Sequence, residues 1–453
     1  MPASTTVASA PRWRLPAGTP RLSLLVKAAT VGLLCLLLLI PLGMILGLVS
    51  ERQGYRNLAV EQVAASSAQA QVLAAPVLVV PYVEQVEVEE VDRDGGRRTL
   101  WREQSGHWLF FPAHFELDGS LQPESRQLGL HEVRVYTLAA AMQARFDARI
   151  PDNPDPTRPR RIGQPQLRWD ISDVRGLLGT PVLQVNGQRQ TLQQGAGERS
   201  GVHAMLPAPV AGERLQWSVR MDLDIAGTES LSVMPLADEN RVTLASPWPH
   251  PQFNGAFLPG RREVATGGFR ADWQVSALAS QAQAQYRAGG DAVVDSFGVA
   301  LVEPVNVYSM SERATKYGFL FVLLTFGGFL LLEVVRRLRI HPIQYGLVGV
   351  ALALFFLLLL SLSEHIAFAP AYLVAAAACL LLLGFYVGSI LHSRVHGLGF
   401  AAALALLYAA LYGLLVSEDN ALVLGAGLLF VVVAAVMVMT RHIDWYRVGG
   451  EQD

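Results

Sequence analysis

The sequence predicts an integral membrane α-helical bundle of six transmembrane helices, arranged one and then five, with a large extracytoplasmic all-β domain of antiparallel, sandwich-like build. Three observations predict it. From about Arg313 to Tyr446 the chain is apolar over five runs, with charge confined to the short breaks. A helix needs roughly 20 apolar residues to cross about 30 Å of hydrocarbon. A further apolar run, Ala29 to Val49, stands alone near the N-terminus. Between the two, from Val77 to about Tyr308, the apolar spacing drops in many places to two, the period of a strand with one buried face.

Composition agrees. Of 453 residues, 51% are hydrophobic and 16% charged, well below the roughly 25% charge of a soluble domain. The lipid bilayer is therefore an expected partner. A net charge of −2 offers no electrostatic footprint for a nucleic-acid partner. The two cysteines, Cys35 and Cys379, both fall in predicted helices, so the β domain has neither a disulfide framework nor a cysteine-based zinc site.

In chain order, residues 1–28 form a basic tail with Arg12, Arg14, Arg21 and Lys27 and no acid, expected in the cytoplasm. Residues 29–49 form a transmembrane signal anchor, with a kink expected at Pro41. A cleaved signal has an apolar region of about 7–15 residues; this run is longer and ends in Ser50-Glu51-Arg52. Residues 50–76 connect it to the domain, and 51–72, free of Pro and rich in Ala, Gln and Glu, continue outward as a helix.

The β domain spans 77–312. Alternation is clear in His131–Tyr136, Leu215–Val219 and Phe269–Val275, whereas the unbroken Val77-Leu78-Val79-Val80 suits a strand buried on both faces. Turns are expected at Asp94-Gly95-Gly96, Asp118-Gly119, Asn186-Gly187 and Ala226-Gly227. The Pro-rich segment 151–165 is the expected boundary if the domain is two small sandwiches rather than one.

The bundle spans 313–440, with helices at about Tyr317–Val335, Tyr345–Leu362, Phe368–Leu391, Leu398–Val416 and Ala421–Thr440, and a tail at 441–453. His341-Pro342 opens the second of these, Pro being tolerated at the first helical position. Arginines mark alternate breaks: Arg336, Arg337 and Arg339, then Arg394, then Arg441 and Arg447. The breaks at Ser363–His365 and Ser417–Asn420 carry none. The positive-inside rule then places both termini in the cytoplasm and about 50–315 outside it, in a multi-pass membrane protein.

Chemistry is sparse. His107, His114, His131, His203 and His250 show no HExxH spacing, and no GxSxG elbow occurs. No catalytic residue, cofactor or metal ligand is assigned, and the chain reads as a non-enzyme. Two groups stand out instead. The stiff loop Trp248–Pro259 presents Trp248, His250, Phe253 and Phe257 as a binding surface, or serves as a plug against the membrane-proximal face. At the outer bundle end, Arg313 and Lys316 stand against Glu364 and His365 as an ion-pair clamp between bundle and domain, or as a proton or substrate site. Glu333, four residues before Arg337, reads as a helical ion pair. His392 and His396 share a helix face at i,i+4, which flanks lipid headgroups with Arg394 or binds a metal.

These residues resemble the CreD-like inner-membrane proteins of Gram-negative bacteria. The likeness rests on Arg313–Gly318 leading into Leu324-Thr325-Phe326 and Glu333, on His341–Gly349, and on Leu360–His365. Upstream it includes Ile171–Gly176, the Trp248–Pro259 loop, Phe297-Gly298-Val299 and Pro304-Val305. Two positions depart from it: Ala75 stands where Gly is expected and Asn306 where Asp is expected. The resemblance implies a part in cell-envelope integrity and the envelope-stress response under a two-component system, with altered tolerance to colicins and β-lactams. It implies no catalytic mechanism. The expected partner of the β domain is an envelope protein or a peptidoglycan-related component; the alternative is a transporter or lipid-handling protein with the bundle as its path.

Overall fold

The computed structural model describes residues 24–91, 97–197, 199–289, 294–301, 303, 306–336, 340–391, 393–417 and 421–441. Two compact units divide the chain, one of Met1–Gln53 with Val305–Asp453 and the other of Gly54–Pro304. The expected turn at Asp94-Gly95-Gly96, the paired Arg337, His392 and the two chain ends lie outside the described residues.

The helical unit is built from the first part of α1 (Leu24–Ser66), then α3 (Val307–Arg336), α4 (Pro342–Ser363), α5 (Phe368–Ile390), α6 (Arg394–Val416) and α7 (Ala421–Thr440), with the short α2 (Ala282–Ala288) in the other unit. Five helices, α1 and α3 to α6, are long and apolar enough to cross a bilayer. The sixth expected span coincides with α7, apolar over Val423–Val438. The helix ends follow local chemistry. Asn306 Oδ1 accepts from the N–H groups of Tyr308 at 3.0 Å and Ser309 at 3.3 Å, so α3 starts at Val307 on an asparagine cap. Asn serves there as well as the acid the family pattern leads one to expect. At α4, His341 Nδ1 accepts from the Ile343 N–H while Gln344 Oε1 accepts from the His341 N–H, a reciprocal capping box with Pro342 at the first position.

Packing in this unit follows its small residues. A Cβ on Gly349 would meet Leu38, and one on Gly318 would lie 3.0 Å from Phe356 and 3.1 Å from Leu42, so both glycines admit α1. A Cβ on Gly397 of α6 would lie 2.6 Å from the Gly388 Cα of α5, and one on Gly384 would lie 3.1 Å from the Ala401 Cβ. Small residues four apart on both helices thus let two backbones approach, the packing mode that membranes favour. Aromatic rings fill the centre: Phe321, Phe355 and Tyr408 stand within 4.6–6.5 Å of one another by centroid.

Among the described residues the β unit holds three sheets. The largest has eight strands in the order Arg261–Ala265, Gly268–Ser276, Glu239–Ser246, His114–Leu128, His131–Arg149, Arg214–Thr228, Val182–Val185 and Gln188–Gln190. A six-stranded sheet runs Gln193–Ala196, Arg199–Met205, Gln166–Asp170, Val77–Val91 and Arg97–Phe110, with Arg161–Ile162 pairing beside Val77–Val91. The third runs Gln71–Ala74, Ser230–Met234, Phe297–Leu301 and Pro251–Gly255. The all-β reading holds, but antiparallel pairing is not universal. Gln71–Ala74 lies parallel to Ser230–Met234, and His114–Leu128 parallel to Glu239–Ser246.

One contiguous core runs from Leu73 to Leu301 and includes Ile150 and Leu167, which flank 151–165. The Pro-rich segment is therefore a surface excursion, and the domain is one body. Val77–Val80 are buried throughout, as their unbroken pattern requires. Asn186-Gly187 is a tight hairpin turn, φ being +50° and +77° at its two residues. Of the other two expected turns, Asp118-Gly119 is strand interior and Ala226-Gly227 falls at the end of a strand. Gly119 sits mid-strand because a Cβ there would lie 2.8 Å from Leu244 Cδ2 and 2.9 Å from Leu138 Cδ1. Gly227 is the last residue but one of its strand, where a Cβ would run into the Tyr136 ring, and the chain bends two residues later at Glu229, φ +60°. Here glycine makes room for a neighbour and does not bend the chain.

Candidate functional site

The β unit carries a polar knot around its first residues. After Ser66, α1 stops, and the strand Gln71–Ala74 follows; the expected helix over 51–72 ends six residues early. Gln71 is 1% exposed, and its Nε2 donates to the carbonyls of Asp173 and Ala226, each at 3.0 Å. Ser172 Oγ accepts from the Val72 N–H at 2.9 Å and donates to the Ala70 carbonyl at 3.0 Å. Asp173 Oδ2 accepts from the Gln69 N–H at 3.1 Å, while Arg175 Nη1 donates to the Ala65 carbonyl at 2.9 Å. Thr228 Oγ1 donates to the Ala68 carbonyl at 2.6 Å. Lower down, Ala59 and Val63 of α1 pack on Val133 and Val135, and Arg56 pairs with Glu229 at 3.3 Å. Buried backbone groups need partners, and this segment finds several of them in side chains of the β unit and others in its backbone, such as the Thr228 N–H on the Gln69 carbonyl at 3.2 Å. The end of α1 is built into the domain, not strung from it.

The helical unit has a second buried network. Glu333 is 4% exposed, and its carboxylate binds Lys27 Nζ of α1, the Ile340 N–H at 3.3 Å and the Tyr345 hydroxyl of α4 at 2.9 Å. Three segments thus converge on one carboxylate. Sequence reading placed Lys27 in the tail and gave Glu333 to Arg337; the signal available was a lone lysine beside an apolar run.

At the other flagged positions, Glu364 lies 3.6 Å from Arg52 Nε, and Lys316 pairs with Glu312 on its own helix at 2.7 Å. The arginine that reaches Glu364 therefore comes from α1. His365 N–H closes the end of α4 on the Leu362 carbonyl at 3.0 Å, and Arg313 sits half-buried on α3.

The flagged loop is partly a strand, Pro251–Gly255, which ends its sheet beside Phe297–Leu301. Its aromatics turn inward. Phe253 stands edge-on to Phe269 at 5.8 Å and Trp273 at 5.7 Å, and Phe257 edge-on to Phe297 at 6.3 Å. Trp273 Nε1 donates to the Phe257 carbonyl at 3.2 Å, and the Arg134 guanidinium covers Trp248 at 4.3 Å. Its exposed residues include His250, Gln252, Asn254 and Leu258. Elsewhere, an open groove of about 610 Å³ on the eight-stranded sheet is lined by Ala139, Ala141 and Ser120 with Asp118, Asp222 and Asp224. No cluster of three metal-ligating side chains occurs among the described residues.

The family model for "Inner membrane protein CreD" matches residues 23–446. The chain belongs to the CreD family. A CreD relative from Escherichia coli (strain K12), the "Inner membrane protein CreD", is 36% identical over 417 residues, which is 91% of each chain. With its membrane-length helices, this CreD-family chain is an inner-membrane protein. An M1 zinc metallopeptidase from Deinococcus radiodurans aligns at 13% identity and a TM-score of 0.21, over 46% of this chain and 53% of that one. A second structure of it aligns at 13% identity and 0.18, over 42% of each. Likeness at that level carries no argument about the CreD fold or activity.

Proposed function

We propose that this CreD-family protein is a non-enzymatic inner-membrane component of cell-envelope integrity and the envelope-stress response, whose β unit binds an envelope protein or a cell-wall component. On this reading the chain crosses the membrane six times, both termini are cytoplasmic, and about 50–315 face the periplasm. The observation that carries it is the knot at Gln71, Asp173 and Arg175, which ties the last turns of α1, up to Ser66, into the β unit. A β unit laced to the helix segment that leads into it suits a binding role. The edge strand Pro251–Gly255 supports the binding role, since a strand with one unpaired side offers main-chain hydrogen bonds to an extended partner.

The test is photo-crosslinking in intact cells from the exposed positions His250, Gln252, Asn254 and Leu258. A discrete adduct with an envelope protein or a wall fragment is expected; its absence from all four positions would remove the binding role. A second reading, lipid or solute handling by the bundle, is favoured by the pair of half-buried Lys27 with buried Glu333, because ionisable groups inside membrane helices often mark a path. Reconstituted protein that moves lipid or solute, and loses that activity in Glu333→Gln, would establish the second reading in place of the first.

A further inference from the structure

Asp170 closes the strand Gln166–Asp170 and is 6% exposed, yet neither carboxylate oxygen has a hydrogen-bond partner among the described residues. Three groups face it. Arg168 lies on its own strand, and Arg199 heads the adjacent strand with Nε 3.7 Å from Oδ2. Tyr286 comes from α2. Arg199 Nη2 is likewise buried without a partner. The Tyr286 ring is wedged edge-on to Phe111 at 5.9 Å and lies under the Arg199 guanidinium at 4.9 Å. α2 is only seven residues long, too short to be stable by itself. It is seated by Tyr286 and Ala282, by Gln283 Nε2 on the Leu236 carbonyl at 3.0 Å, and by Gln285 on Asp295.

We propose that α2 is a proton-operated catch. With Asp170 protonated the helix stays seated over the strand end, and with Asp170 ionised it lifts and lets water reach the carboxylate. The reason is desolvation: a carboxylate buried without hydrogen bonds is costly, whereas the neutral acid is not. Burial pushes the Asp170 carboxyl up to about 6, against the pull of Tyr286, Arg199 and Arg168. The sign follows from linkage. The seated form holds the proton above the ordinary carboxylate range, so its advantage is complete at low pH and is lost as pH rises through about 6. For one site of this kind, the opening constant rises about tenfold between about pH 5 and pH 7.5. The catch is independent of what the β unit binds.

Hydrogen–deuterium exchange on the full-length protein in lipid nanodiscs, corrected for intrinsic exchange chemistry, reads it directly. The Gln285 amide, bonded to the Gln281 carbonyl at 2.9 Å, is the reporter. Its protection is expected to fall about tenfold from about pH 5 to pH 7.5, and to be flat with pH in Asp170→Asn. Tyr286→Phe keeps the ring on Phe111 and removes a group that favours the ionised acid, so the midpoint moves to higher pH. Equal protection at both pH values, the wild-type slope in Asp170→Asn, or an unmoved midpoint in Tyr286→Phe overturns the catch.

Discussion

Arg175 holds Asp173 in a two-pronged grip, Nε to Oδ1 at 2.9 Å and Nη2 to Oδ2 at 2.6 Å. The same aspartate accepts from the Gln69 N–H, so one carboxylate ties the strand entry to the Val174–Gly176 turn. Gly176 completes the joint, because a Cβ there would strike the Ala226 carbonyl.

The first prediction concerns this carboxylate. The Arg175 hydrogen bonds, helped by the Gln69 and Arg175 N–H groups, bring the Asp173 carboxyl down to about 2. Its folded value lies below its unfolded one, so its stabilisation is present above about pH 4 and is lost as pH falls toward 2. Asp173→Asn is expected to lower stability by about 1–2 kcal/mol near neutrality. Urea unfolding should show the gap between variant and wild type closing toward about pH 3; a gap of constant size would refute the assignment.

The second concerns Glu333. Lys27→Met leaves a buried carboxylate with the Tyr345 hydroxyl and one N–H but without its cation. Breaking one half of a buried pair costs about 3–5 kcal/mol, whereas replacing both halves with apolar residues is often neutral. Thermal unfolding in detergent should therefore rank Lys27→Met well below Lys27→Met/Glu333→Leu. If the double variant is the less stable, the network does more than satisfy charge.

Much of this was legible in the sequence, and the failures have a common cause. Apolar run length and period-two spacing located the spans and strands because each is a local consequence of what an element faces. His341-Pro342 announced α4 for the same reason. Gly119 and Gly227 misled because glycine answers equally to a turn and to a neighbour's side chain, here Leu244 and Tyr136, and that neighbour is remote in sequence. Lys27 and Glu333 are 306 residues apart, so only the fold pairs them. The Trp248–Pro259 aromatics stand out as a group in the sequence, but inward or outward facing depends on Phe269 and Trp273, which spacing cannot supply.

A third prediction follows from the α5–α6 contact. An added side chain at Gly397 meets the backbone of Gly388 and Gly384, which no rotamer change relieves. Gly397→Val should cost more than about 2 kcal/mol and reduce the folded yield. Gly399→Val, where a Cβ meets nothing within 4 Å, should be near neutral in the same size-exclusion assay; equal losses at both positions would exclude close packing as the cause.

The last prediction separates the two uses of the Trp248–Pro259 loop. Phe253 is half-buried between Phe269 and Trp273, so Phe253→Ala should cost about 2–3 kcal/mol of β-unit stability by leaving a cavity beside those rings. Leu258 is 66% exposed, and Leu258→Ser should change stability by no more than about 0.5 kcal/mol. A loop that only closes the core predicts wild-type crosslinking at the neighbouring Asn254 in Leu258→Ser. A loop that also docks a partner predicts weaker crosslinking there with unfolding unchanged, because an apolar side chain that contributes nothing to folding is then needed at the contact.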